Sequence, residues 1–263
     1  MSSAFYVPEG GQFVSTELTR GPWDPGAQHA GPPAALIARA IERCPSPAGG
    51  GPWQVGRITY EILRPVPIGT LEVSAEVVRP GRSVELLSAS LGDETGELIR
   101  ASAWRLAKRT VEIEAGPAPP PEPVPGPETA QRKPFFDTDY EHGYHTAMEY
   151  RFVSGGFREL GPATVWMRMR TPLVEGEEPT PLQRVLVAAD SGNGVSATLD
   201  WSSFLFINVD LTVHLHRVPV GEWVCLDAVT IPEPTGIGLA DTVLRDARGP
   251  IGRALQTLLV RER

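Results

Sequence analysis

Pro181-Leu-Gln-Arg-Val-Leu-Val-Ala-Ala-Asp190-Ser-Gly-Asn-Gly194 is the stretch whose reading decides the fold. It predicts a short, mostly apolar helix. Thr180 is a good N-cap, and Pro181 takes the first helical position. Leu182, Val185, Leu186 and Ala189 follow helical spacing. Gly192 and Gly194 are expected to end it. One carboxylate, Asp190, closes this apolar run, and a carboxylate there is costly to bury unless it is paired or hydrogen-bonded. Two readings stand: Asp190 caps the following turn through its side chain, or it belongs to a site.

Outward from that helix the chain reads as strands. Downstream lie SFLFINVDLTVHLH at 203–216, EWVCLDAVTI at 222–231, IGLADTVLRD at 237–246 and PIGRALQTLLVRE at 250–262. Upstream, EYRFVSG and TVWMRMRT are strand-like. GPAPPPEPVPGPE at 116–128 holds seven prolines, cannot pair in a sheet and favours polyproline II, so it reads as a semi-rigid linker. Before the linker a second helical run, AALIARAIERC, opens on Pro32 and Pro33. Four strand runs follow it, at 53–63, 71–78, 83–91 and 97–107, with period-2 alternation and RPG and DETG turns between them. The expected organisation is residues 1–115, a linker at 116–134 and residues 135–263.

The two halves can be laid on each other. LRPVPIG at 63–69 matches LHRVPVG at 215–221, and DETGELIRA at 93–101 matches DARGPIGRA at 246–254. An internal duplication follows. Each copy is one helix with an antiparallel meander, an α+β arrangement.

The last strand carries the sharpest pattern. Gln256 shares a small, apolar face with Gly252, Ala254, Leu258 and Val260. A buried amide needs partners for its donors and its carbonyl, so Gln256 either serves backbone groups or belongs to a site. On the strand 203–216 the even-numbered face starts aromatic and turns polar at Asn208. In the first half the matching positions are Ala103 for Gln256 and Gly56 for Asn208. A requirement of the fold would appear in both copies; a polar set in one copy points to chemistry there.

Composition removes other classes. The 263 residues are 41% apolar and 21% charged, with a net charge of −8. That argues against broad binding to nucleic acid or to an anionic membrane surface. Cys44 and Cys225 have no partner at a zinc or redox spacing. His142 with His145, and His214 with His216, each lack an obvious third ligand, so no metal is expected. There is no GxSxG, GxxxxGK[ST] or GxGxxG. MSSAFYVPEGGQ has no basic segment before an apolar run, so no signal peptide is expected. No apolar stretch approaches the roughly 18 residues of a membrane span. A cytoplasmic location is the expectation.

A helix and meander, twice over, with Asp190, Asn208 and Gln256, resembles the double hotdog fold of the acyl-CoA thioesterase II family, in particular its thioesterase-like branch. The resemblance rests on GAQHAGPPAALIARA at 26–40, VAADSGNG at 187–194, NVDLTVHLHR at 208–217 and the ALQTLLVRER ending. It implies two tandem hotdog repeats, each with an antiparallel sheet wrapped around a central helix. It implies hydrolysis of an acyl-CoA thioester by water, with catalytic Asp190, Asn208 and Gln256. Asn208 stands where the family's best-known pattern has Thr. His29 and the Gly31 segment are substrate-binding candidates, with backbone N–H groups at that helix start as oxyanion donors. It implies no cofactor, and a homo-oligomer, a dimer or tetramer. A non-catalytic acyl-CoA or acyl-chain binding protein on the same fold is the alternative. A hydratase would need an Asp/His pair, and none stands at helix-start spacing.

Overall fold

The computed structural model describes residues 4–113 and 122–263. Part of the expected linker, residues 116–121, lies outside them. In chain order the first half holds β1 (Tyr6–Glu9), β2 (Gln12–Ser15), α1 (Gly31–Arg43), β3 (Trp53–Ile62), β4 (Thr70–Arg79), β5 (Val84–Asp93) and β6 (Gly96–Ala107). The second half holds α2 (Tyr144–Ala147), β7 (Met148–Gly156), β8 (Glu159–Met169), α3 (Pro181–Ala189), α4 (Gly192–Val195), β9 (Phe204–Asn208), β10 (Asp210–Leu215), β11 (Val224–Pro232), β12 (Ile237–Asp246) and β13 (Gly249–Glu262).

The strands form one sheet in the order β1-β2-β4-β5-β6-β3-β10-β13-β12-β11-β8-β7, with β9 pairing off this path on β13. Read from either end, that order visits corresponding elements. The halves meet where β3 and β10 pair antiparallel, Leu211 opposite Tyr60 and Thr212 opposite Thr59. Ala103 pairs with Leu87 on β5, and Gln256 pairs with Ala240 on β12, the same place in each ladder.

Helices α1 and α3 pack on each other, α1 over β4 and β5, α3 over β8 and β11. Leu36, Ile37 and Ile41 of α1 and Val185, Leu186 and Ala189 of α3 are fully buried. Gly31 makes the close crossing possible, because a Cβ there would stand 2.3 Å from the Val187 carbonyl oxygen. Gly252 does the same in the sheet, where a Cβ would stand 1.8 Å from the His214 carbonyl oxygen.

The cap at the start of α3 forms as its residues predict. Thr180 accepts from the Gln183 N–H, and the Gln183 side chain returns to the Thr180 N–H. Two expectations fail. Gly192 and Gly194 do not end the helical backbone; after Asp190 it takes up another single turn, α4. The run 203–216 is not one strand but breaks at Val209. There the register against β13 slips by one residue, between Asn208 opposite Leu258 and Thr212 opposite Leu255. The Asp210 carboxylate accepts the Thr257 N–H at 2.5 Å, in place of a ladder carbonyl, while the Val209 N–H goes to the Thr257 carbonyl. Such a bulge re-aims side chains. The first half has a register shift at the matching place, between Val55 and Arg57.

Residues 122–134 of the expected linker lie along the second half. Trp166 donates to the Pro125 carbonyl at 2.8 Å, and Gln131 bridges to Phe152. Among the described residues no helix is long and apolar enough to cross a membrane.

Candidate active site at the end of the second helix

Asp190 is the C-cap of α3. A helix C-terminus is the negative end of the helix dipole and gives a carboxylate no support. Its support comes from side chains. Asn208 Nδ2 donates to Asp190 Oδ1 at 2.9 Å, and Gln256 Nε2 donates to the same oxygen at 3.2 Å. His29 Nδ1 lies 3.1 Å from Asp190 Oδ2. The three residues read from the sequence therefore meet, although they come from α3, β9 and β13, and His29 joins them from the other half.

Their positions differ. Asp190, Asn208 and His29 line a cavity of about 470 Å³. Gln256, 2% exposed, stands behind them. Its amide is consumed by the protein: Nε2 also donates to the Asp190 carbonyl at 3.1 Å, and Oε1 accepts the Asn193 N–H at 3.1 Å. The Asn208 amide also donates to the Asp210 carbonyl at 3.2 Å, so the bulge holds its orientation.

His29 is pinned from three sides. Its ring stacks on Tyr144 with centroids 3.7 Å apart and planes 9° apart. Its Nδ1 is 3.1 Å from the Gly31 N–H nitrogen as well as from Asp190. Nδ1 serves one of them at a time: bare, it accepts from Gly31; protonated, it donates to Asp190 and releases the Gly31 N–H. Burial lowers the His29 pKa from its ordinary value, and the Asp190 charge opposes that shift. Pro32 and Pro33 carry no N–H, so Gly31 is the one backbone donor among the first three helical residues of α1.

The Asp/His pair absent at helix-start spacing is thus present in space, built from the two halves. The sequence reading also missed Tyr144, whose hydroxyl donates to the Val187 carbonyl at 2.6 Å and lies 3.0 Å from Ser191 Oγ. It missed the wall of Phe135, Phe136, Tyr150 and Phe157. The signal was there, since seven aromatic residues fall between 135 and 157. The paired histidines do not collect ligands: His145 stacks on Phe135 at 5.0 Å, and among the described residues no three metal-binding side chains gather.

Carboxylate, carboxamide and imidazole at the edge of an apolar cavity can hold a water molecule and take its proton. Comparison with known proteins supplies the family and the fold. The family model of the acyl-CoA thioesterase N-terminal domain matches residues 19–106, and that of the C-terminal domain matches residues 120–260. A Thermobifida fusca protein named as a candidate thioesterase II is 19% identical, with a TM-score of 0.73 over 97% of this chain and 95% of its own. A hot dog fold protein of unknown function from Alicyclobacillus acidocaldarius is 16% identical, with a TM-score of 0.73 over 99% of this chain and 96% of its own. The acyl-CoA thioesterase II TesB2 of Mycobacterium marinum is 14% identical, with a TM-score of 0.62 over 97% of this chain and 93% of its own. No curated protein sequence matches. The fold is that of the hotdog proteins, and the chain belongs to the acyl-CoA thioesterase family.

Proposed function

We propose that this protein hydrolyses an acyl-CoA thioester to free acid and CoA, with Asp190 as the base that activates water. The observation that carries this reading is the Asp190 carboxylate, buried beside the cavity and held by Asn208, Gln256 and His29 without a cation. Water at the cavity edge gives its proton to Asp190 as its oxygen attacks the thioester carbonyl. The carbonyl electrons move to oxygen as the tetrahedral adduct forms. The C–S bond then breaks, the carbonyl re-forms, and the thiolate takes back the proton. Asn208 orients the water with Asp190. Gln256 is a positioning residue that acts through Asp190, and His29 sets the hydrogen bonding of both Asp190 and Gly31.

The mirrored strand order and the matched ladder positions support two tandem hotdog repeats, residues 1–115 and 135–263; Asp190, Asn208 and Gln256 belong to the second, and His29 reaches them from the first. The test is thiol release from a panel of acyl-CoAs. Asp190→Asn is expected to lower kcat by about 1,000-fold or more, on the order of 4 kcal/mol. Saturable binding of the same thioesters without any thiol release would replace the hydrolase with a binding protein.

A further inference from the structure

The cavity beside Asp190 is not uniform. Its outer part carries exposed aliphatic side chains: Leu63, Ile207 and Val209 line it and are 47%, 37% and 46% exposed. Its deep part is made of rings. Tyr144 and Phe157 line it and are 2% and 5% exposed. Phe135, Phe136 and Tyr150 complete that wall.

These rings brace one another. Phe157 meets Phe135, Phe136 and Tyr150 edge to face, with centroids 4.6, 5.4 and 4.8 Å apart, and Phe152 backs it at 5.0 Å. A wall of interlocked rings has few rotamers to offer and does not give way to a lengthening saturated chain. It does present edges and faces at the spacing a further ring prefers, about 4.5–7 Å between centroids.

We propose that the acyl group this site takes carries an aromatic ring, as in an arylacyl thioester, seated among Phe135, Phe136, Tyr150 and Phe157 with its carbonyl toward Asp190. The bond that is cut rests on the thioesterase reading; the seat of the ring rests on the cavity. Carbon-matched ligands test it: phenylacetyl-CoA and octanoyl-CoA for thiol release, and their non-hydrolysable thioether analogues for calorimetric binding. The expected result is a preference for the ring of about tenfold or more, in binding and in kcat/KM. Phe136→Leu, at a half-buried position, and Phe157→Leu, at the hub, are each expected to shrink the ratio between the two ligands toward one.

Thiol release with the straight chain equal or preferred in kcat/KM overturns the ring proposal and leaves the hydrolase standing. Ring-selective binding with no thiol release from either ester upholds the ring seat and overturns the hydrolase. Neither binding nor release overturns both.

Discussion

The C-terminal ends of α1 and α3 face the same physical demand and meet it with opposite chemistry. Each must satisfy carbonyls that the helix leaves without partners. At the end of α1 a guanidinium does it. Arg105 Nη1 donates to the Ile41 and Cys44 carbonyls at 3.3 and 2.8 Å, while its Nε donates to Glu85 at 2.7 Å. Ser46 Oγ adds a bond to Glu85 at 2.6 Å. The charges cancel out of reach of water: Glu85 is 0% exposed and Arg105 3%. At the end of α3 neutral groups do it, the Tyr144 hydroxyl on the Val187 carbonyl and the Gln256 amide on the Asp190 carbonyl, and a carboxylate is left at the cavity wall. Both ends have the space: a cavity of about 430 Å³, lined in part by Glu42, Arg105 and Thr180, lies beside the end of α1. Volume alone does not make a site. An ion pair that closes on itself keeps the helix end in place, and at the other end Asp190 keeps neutral amides and His29 as its partners at the cavity wall.

That contrast can be broken from either side. After Asp190→Asn, the next largest expected effect is on stability. Glu85→Gln leaves Arg105 buried without its counter-charge and is expected to cost about 3 kcal/mol in urea unfolding, with turnover per folded molecule unchanged. Burial raises the Glu85 pKa, but Ser46 and Arg105 outweigh it and hold the carboxyl below its ordinary value. Its stabilisation is therefore complete above the ordinary value of about 4.3 and is lost as pH falls through the folded value. The variant should lack that acid-side loss. Next, Gln256→Leu removes the amide behind Asp190. Because Gln256 does not line the cavity, kcat should fall about 100-fold, or about 2.7 kcal/mol, with KM changed far less. An equal change in both would mean that Gln256 touches substrate.

The smallest of these effects belongs to His29→Gln, with a loss in kcat of about tenfold. Its signature is in the pH profile. Burial lowers the folded pKa of His29, so the native state favours the neutral ring. The contribution to stability is complete above the unfolded value of about 6.5 and is lost as pH falls from there toward the folded value. Unfolding free energy measured from pH 7.5 to 5 should decline more steeply for the wild type than for the variant. Parallel curves would remove His29 from the account.

Much of the contrast is legible before folding, because it rests on local chemistry. Thr180, Pro181 and Gln183 write the start of α3 into six residues of sequence, from Thr180 to Val185. Period-2 alternation places Gln256 on the buried face of β13, and Ala103 at the matching position marks it as dispensable to the fold. What is not legible depends on contacts across the chain. His29 and Asp190 meet only because the helices cross at Gly31. The break at Val209 needs the Asp210 side chain to replace a ladder acceptor on β13. Gly192 and Gly194 stay helical because α4 is pinned: Asn193 bonds Gln256, and Ser196 Oγ lies 2.8 Å from Thr230.

The most direct test sets one carboxylate from each helix end side by side. Glu42 accepts from Thr180 Oγ1 at 2.9 Å and from Gln183 Nε2 at 3.0 Å, beside the cavity at the end of α1. Thiol release should be measured for Asp190→Asn, Glu42→Gln and the wild type on the same acyl-CoA panel, with circular dichroism to certify folding. Asp190→Asn is expected to be nearly silent and Glu42→Gln to match the wild type. Folded Asp190→Asn that turns over at the wild-type rate, or folded Glu42→Gln that falls with it, would contradict the claim that the chemistry sits at one end only.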